Sequence, residues 1–323
     1  MKKNAVFSTV FLLLMIGGMI TVMLTSSNHV NDQSNDSYPL SKTISVNVPD
    51  EMVFAGEKIV FDRYDLHERM DRELNSFTYF HSTTLLLFKR ANRIFPIIEP
   101  ILKQQGLPDD IKYLAVIESS LHPRAVSPAN AAGLWQFISS TGKGYGLEIT
   151  SEVDERYHIE KSTVAAAKYL KSARNQYGSW SAAALSYNGG MGRITSELRN
   201  QRVNDALDLW LVEETSRYYF RMLAIKLIFE NPKAYGFHIQ PQHLYKPVEF
   251  KEVRVSSSIN NLTDFAKQHG ISYAQLKDFN SWLRDTKLLN RSGKTYTILI
   301  PTKESLFYDE SERVKVHDPR WIR

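Results

Sequence analysis

Leu107 to Gln136, LPDDIKYLAVIESSLHPRAVSPANAAGLWQ, is the stretch on which the fold turns, and Glu118 stands at its centre. Leu107-Pro108-Asp109-Asp110 reads as a helix start. Proline at the first helical position gives up only an amide that has no partner, and acids there complement the positive end of the helix dipole. From that start Ile111, Leu114, Glu118 and Leu121 follow the spacing of one helical face, so the carboxyl falls in an apolar stripe. Val116 and Ile117 make the other side apolar as well. A helix apolar all round is normally buried, and burial raises the pKa of a carboxyl that has no cationic partner. Such a group can hold a proton near neutrality, as a general acid must. The alternative is an ordinary helix-end glutamate, capped or paired with Lys112 or Arg124, and spacing alone leaves both open.

The chain has 323 residues, room for one sizeable core and a smaller module. Its net charge of +5 favours an anionic partner without choosing among nucleic acid, lipid and an acidic cell-wall polymer. There is no concentrated basic face, which argues against nucleic acid. With no cysteine, disulfides, thiolate metal sites and a thiol nucleophile are excluded. The nine histidines are scattered without a helix-spaced ligand pair, so neither a metal nor a cofactor is expected. Lys2 and Lys3 precede an uncharged apolar run from Ala5 to Thr25, which is a membrane address. Either a removed signal peptide or a retained anchor fits that length, and under both the chain after Ser26 faces outward. Export to the periplasm or cell envelope is therefore expected.

Ser26 to about Asp50 is rich in Ser, Asn and Asp without periodicity and reads as a flexible tether. Helices are expected over 63–74 and 82–105, the second kinked or split by Pro96 and Pro100, both packing around the Glu118 helix. Further helices follow over 162–176, 181–187, 203–209 and 213–230, with no strand pattern before Tyr235. The first two thirds is thus an all-α domain.

Three clusters set polar or aromatic groups in unusual places. In Gly133-Leu134-Trp135-Gln136-Phe137, small residues let backbone approach closely, and a Trp beside a Gln suits a sugar ring, although aromatics of this size are equally good core. Ser186-Tyr187-Asn188-Gly189-Gly190 ends a short alanine-rich helix, from which Tyr187 and Asn188 can project into a cleft. Glu214-Thr215-Ser216-Arg217-Tyr218-Tyr219 opens the last long helix, where Tyr218 is either a donor to Glu118 or a wet-ended core tyrosine.

In this order, Glu118-Ser119, Gly133-Leu134-Trp135-Gln136, Ser186-Tyr187-Asn188 and Glu214-Thr215 with Tyr218 resemble the goose-lysozyme-like lytic transglycosylases over about residues 63–237, closest to the membrane-bound lytic murein transglycosylase D type. Trp135 stands where methionine is frequent in that family and Ser186 where alanine is. The resemblance implies a lysozyme-like fold and a glycan substrate, peptidoglycan. It implies cleavage of the β-1,4 bond between N-acetylmuramic acid and N-acetylglucosamine without net uptake of water. In that chemistry Glu118 acts first as acid, then as base. Carried over by position, Ser119 and Gln136 orient the sugar or the acid, Tyr187 and Asn188 bind near the scissile bond, and Tyr218 hydrogen-bonds Glu118.

The chain then changes character, with strand, helix, helix, strand at 253–255, 262–270, 271–280 and 296–301. Asp264-Phe265-Ala266, His269-Gly270-Ile271-Ser272, Leu276, Asn280 and Ile300-Pro301 resemble a degenerate LysM module, a small carbohydrate-binding fold. Ser256-Ser257-Ser258 replaces the usual Gly-Asp turn, and 281–293 is longer than the usual connection.

The expected architecture is mainly α: a leader or anchor at 1–27, a linker at 28–62, a lysozyme-like domain at 63–238, a small βααβ module at 239–302 and a charged tail at 303–323. A hydrolytic goose-type muramidase is the alternative enzyme, and needs a second acid, with Glu148, Glu152, Asp154 and Glu155 the nearest in sequence. A non-catalytic peptidoglycan-binding protein is the remaining alternative.

Overall fold

The computed structural model describes residues 43–291, 293–308 and 314–322. The apolar leader and most of the tether lie outside the described residues, and among the described residues no helix is long and apolar enough to cross a membrane.

The stretch expected to be linker up to residue 62 and free of strands holds a hairpin instead. Strand β1 (Glu51–Phe54) pairs antiparallel with β2 (Glu57–Val60). The Ala55-Gly56 turn between them has both φ angles positive, 52° and 82°, the mirror-image geometry that matches strand twist. Met52, Phe54 and Ile59 alternate inward, and the Phe54 ring meets Tyr219 edge-on at 5.5 Å. Two four-residue strands joined by Ala-Gly, without Asn-Gly, leave little periodicity to read.

Helices α1 (Tyr64–Tyr79) and α2 (His81–Gln104) follow, then α3 (Lys112–Ser119), α4 (Ser139–Gly144), α5 (Ile159–Tyr177), α6 (Trp180–Gly189), α7 (Met191–Gln201) and α8 (Glu213–Glu230). Helix α2 is unbroken despite Pro96 and Pro100. Pro96 is half-buried and Pro100 exposed, four apart on one side of the helix, while Ala91, Phe95, Ile98 and Leu102 hold the inner side in the core. Residues 203–209, expected to be helical, form only a one-turn 3-10 segment at 206–208, capped by the Asp205 carboxylate. Asn and Asp at 204 and 205 favour such caps over helix interior.

The centre of the domain is α8 rather than the Glu118 helix. Tyr219, Phe220, Met222, Leu223, Ala224, Ile225, Ile228 and Phe229 are all buried, and the helix packs on α1, α3 and α6. Helix α3 is two turns long, entered through a 3-10 turn at 109–111. The two acids of that turn do more than face the dipole. Asp109 pairs with Lys112 at 2.6 Å, and Asp110 bonds both Lys226 of α8 at 2.8 Å and the Ala55 amide of the hairpin at 2.7 Å. The tail also returns to this core: the buried Trp321 ring contacts Phe88 and Phe229, each at 5.6 Å.

In the C-terminal module β3 (Phe250–Val255) pairs antiparallel with β4 (Tyr296–Pro301), with α9 (Leu262–Gln268) and α10 (Tyr273–Phe279) between them. Ser272 and Gln275 form a reciprocal capping box at the start of α10. Buried Asn280 ties this helix to the sheet, accepting from the Leu299 amide at 2.8 Å and donating to its carbonyl at 2.7 Å. The long connection after Asn280 docks the module on the helical domain. Asp154 donates its amide to the Trp282 carbonyl at 2.9 Å, Arg284 donates its amide to the Glu152 carbonyl at 2.7 Å, and Trp282, Leu283 and Leu288 share one apolar cluster with Ala132, Val153 and Tyr157. The described residues from 46 onward form one compact unit.

Replacing Asn280 by Ala leaves the Leu299 amide and carbonyl without their side-chain partner. The expected cost is about 2–3 kcal/mol, read as a lower denaturation midpoint, and an unchanged midpoint contradicts this account of the sheet–helix tie.

Candidate active site

Glu118 is the penultimate residue of α3, where the unpaired carbonyls of the helix end disfavour a negative charge. The turn that follows is strained: Ser120 and Leu121 are both left-handed, with φ of 52° and 56°. It is held by the Ser120 amide donating to Val116, the His122 amide donating to Ser119, and an Arg90 guanidinium donating to the Ser120 carbonyl at 2.9 Å. Neither of the cations whose pairing would make Glu118 an ordinary helix-end acid is paired with it. Lys112 pairs with Glu99 and Asp109, and Arg124 with Asp278.

Although the residue keeps some contact with solvent, burial pushes the Glu118 carboxyl up to about 7 from a usual 4.5. The Tyr218 hydroxyl and the positive charge of Arg221 oppose the shift, and the Glu214 carboxylate adds to it. Tyr218 donates to Glu118 Oε1 at 2.5 Å, joining α8 to the end of α3. Burial also raises the Tyr187 and Tyr218 hydroxyls well above their usual value, so both stay protonated at neutral pH and act as donors.

The other residues singled out from the sequence gather around this pair in unequal ways. Tyr187, half-buried at the end of α6, donates to the Trp135 carbonyl at 2.7 Å, and its ring meets Tyr169 and Phe137 edge-on. Asn188 accepts from the Thr215 hydroxyl at 2.7 Å and points its amide at Glu214 at 3.5 Å. Gln136 has a left-handed backbone, φ 50°, and its amide nitrogen donates to the Gly133 and Ala125 carbonyls at 2.7 and 3.1 Å. Those bonds fix the side chain and leave Oε1 as the group it can offer. Ser119 differs from the expectation, because its buried hydroxyl donates back to the Ala115 carbonyl at 3.2 Å and faces its own helix. Trp135 is no sugar platform: it is fully buried, with its indole N–H on the Thr163 hydroxyl at 2.8 Å, and Phe137 is core too.

Gly133 explains how this loop reaches the site. At φ +82° a Cβ there would lie 1.8 Å from the Arg156 carbonyl oxygen, so only glycine lets the two backbones cross. Glu214 and Arg221 were not singled out as site residues. Their positions four before and three after Tyr218 put all three on one face of α8, a signal present in the sequence.

The four acids considered as a second carboxylate are engaged elsewhere. Glu148 accepts from Lys294 and Tyr296, Glu152 from the Leu289 amide, Asp154 from Arg156, and Glu155 from the Glu148 amide and Lys161. A cavity of about 640 Å³ opens between α2, the turn at 121–124 and the C-terminal module, with Arg90, Arg93 and Trp282 in its walls. Glu118, Gln136, Tyr187 and Tyr218 do not line it, so volume alone does not find the chemistry.

A carboxyl raised in the folded state destabilises the fold as it ionises, because the unfolded chain releases the proton more readily. Below about pH 4.5 the group is neutral in both states and costs nothing; the penalty grows between about 4.5 and 7 and is complete above. Glu118→Gln is therefore expected to match the wild type in stability at pH 4 and exceed it at pH 8 by up to about 3 kcal/mol. Denaturation midpoints at the two pH values measure this, and a constant difference would mean an unshifted carboxyl.

Residues 95–208 match the transglycosylase SLT domain, and residues 251–304 match the soluble lytic transglycosylase C-terminal LysM-like domain. Membrane-bound lytic murein transglycosylase D of Escherichia coli strain K12 is 32% identical over 254 residues, 74% of this chain and 52% of that protein. Membrane-bound lytic murein transglycosylase C of Yersinia enterocolitica is 29% identical over 167 residues, 45% of this chain and 46% of its own. The chain thus spans about half the length of the curated relatives it matches. Among solved structures, the 70 kDa soluble lytic transglycosylase of Escherichia coli is 22% identical, covering 41% of this chain and 24% of its own, with a TM-score of 0.36, too partial a likeness to carry an argument. Two family models thus match the chain in succession, the transglycosylase SLT domain and the soluble lytic transglycosylase C-terminal LysM-like domain.

Proposed function

We propose that this chain is a peptidoglycan lytic transglycosylase that cleaves the β-1,4 bond between N-acetylmuramic acid and N-acetylglucosamine and leaves 1,6-anhydromuramic ends. The observation that carries the reading is a single proton-holding carboxyl, Glu118, raised to about 7 and bonded by a neutral donor, not a cation. Protonated Glu118 gives its proton to the glycosidic oxygen as the C1–O bond breaks. As carboxylate it then takes the proton of the muramic acid C6 hydroxyl, which attacks C1 and closes the anhydro ring. The acid ends protonated, as it began, and no water is consumed. The 2-acetamido group of the sugar covers the cationic centre, so the substrate supplies what a second carboxylate supplies in ordinary glycosidases.

In this reading Tyr218 orients Glu118 and steadies it when ionised, Gln136 Oε1 and the Asn188 amide meet sugar polar groups, and Tyr187 holds the 133–136 loop at the scissile bond. Ser119 contributes by fixing the end of α3 and does not touch sugar. The relatives named membrane-bound, together with the apolar leader, support action in the cell envelope on peptidoglycan strands. The muramidase alternative needs a carboxylate that holds water, and the one that bears on Glu118 is Glu214.

Incubating the protein with purified peptidoglycan and weighing the released muropeptides decides between them. Fragments lighter by one water are expected from the wild type, and none from Glu118→Gln, whose loss should exceed about a thousandfold. Reducing-end fragments would transfer the assignment to a muramidase, and uncut glycan bound by the wild type would leave a binding protein.

A further inference from the structure

Four of the five tryptophans are buried: Trp135, Trp180, Trp282 and Trp321 are 0, 8, 4 and 1% exposed. Trp210 is 88% exposed, the most open large hydrophobic side chain among the described residues. A free ring of this size in water forgoes a large hydrophobic gain.

The backbone beneath it is not loose. Gln201, at the end of α7, clamps Trp210 from both sides, accepting from its amide at 2.8 Å and donating to its carbonyl at 2.9 Å. Leu207 and Leu209 are buried on the inner side, and Asp208 is held by Arg63 at 2.5 Å. The segment thus anchors its leucines inward and turns Trp210 out, with Val212 exposed beside it. It leads directly into α8, whose first turns carry Glu214 and Tyr218, the groups that bear on Glu118. Four residues of chain span at most about 14 Å, so Trp210 stands within a few sugar rings of the first turn of α8.

The geometry points to Trp210 as the platform of a distal glycan subsite, on which the apolar face of a β-1,4-linked N-acetylated sugar ring stacks while the strand continues to Glu118. An indole offers a flat apolar face and an N–H at its edge, the two features that a pyranose ring with an acetamide meets. A fixed backbone means that little order is lost when the sugar lands. This rests on the glycan-cleaving reading above, and deepens it by assigning a binding residue outside the catalytic constellation. Trp210 takes over the stacking role that the sequence suggested for the buried Trp135.

Because the other tryptophans are buried, quenching of emission by acrylamide reports mainly Trp210. The test titrates the full chain with a β-1,4 N-acetylglucosamine tetramer and with glycan strands stripped of peptides, and follows emission and quenching. Protection from acrylamide is expected in the wild type and in Glu118→Gln, and no sugar-dependent change in Trp210→Ala. For long strands Trp210→Ala should raise KM roughly tenfold with kcat nearly kept, Trp210→Phe should restore most of the loss, and Tm should not move. Emission that neither glycan alters, or an unchanged KM in Trp210→Ala, would overturn the subsite. Protection without anhydro products from the wild type would instead remove the catalytic reading and leave this one standing.

Discussion

The contact on which the site depends is the hydrogen bond from Tyr218 to Glu118. It joins the end of a two-turn helix to the central helix of the domain, at the point where burial has made a carboxyl reluctant to ionise. The two effects oppose each other: burial holds the proton on, and the tyrosine hydroxyl helps the carboxylate once the proton has gone. The proposed reaction asks Glu118 to give and then take a proton near neutrality, and it would need that balance. A cation in place of Tyr218 would have fixed the charged form, and the nearby Lys112 and Arg124 are kept from this by their own acids.

The surroundings are built to hold that pair still. The left-handed pair Ser120 and Leu121 ends α3 abruptly, and the Arg90 bond keeps the turn in place. Gly133 lets the 133–136 loop cross Arg156 at a distance no side chain tolerates, and Tyr187 pins the same loop through the Trp135 carbonyl. Of the acids at 148–155, which by sequence position are candidates for chemistry, Glu148 and Glu152 instead receive a cation and an amide of the C-terminal module, and Asp154 and Glu155 are taken by Arg156 and Lys161. The long connection after Asn280 carries the docking contacts, with Trp282, Leu283 and Leu288 in one apolar cluster with Ala132, Val153 and Tyr157 of the helical domain.

Much was legible in the sequence where the signal is local. The helices α1, α2, α5, α6 and α8, the βααβ module and the apolar stripe bearing Glu118 follow from spacing, whereas α4 and α7 were not among the expected helices and 203–209 did not form one. Corrections came where a local rule was outweighed by its neighbours. Helix α2 stays whole across both prolines, its inner side held by buried Ala91, Phe95, Ile98 and Leu102. Trp135 went to the core, and a hairpin formed from two strands too short to show a period.

What the sequence determined by itself is most of the long helices, the βααβ order and the chemical types within them, since periodicity, caps and breakers act over a few residues. Which side chains meet was decided only by the tertiary structure. The meeting of Glu118 with Tyr218 100 positions later, the turning of Ser119 toward its own backbone, the engagement of Glu148 and Glu152 by the module and the outward placing of Trp210 all depend on how distant helices pack. Burial and hydrogen bonding across such distances set a pKa, and no local pattern carries that information.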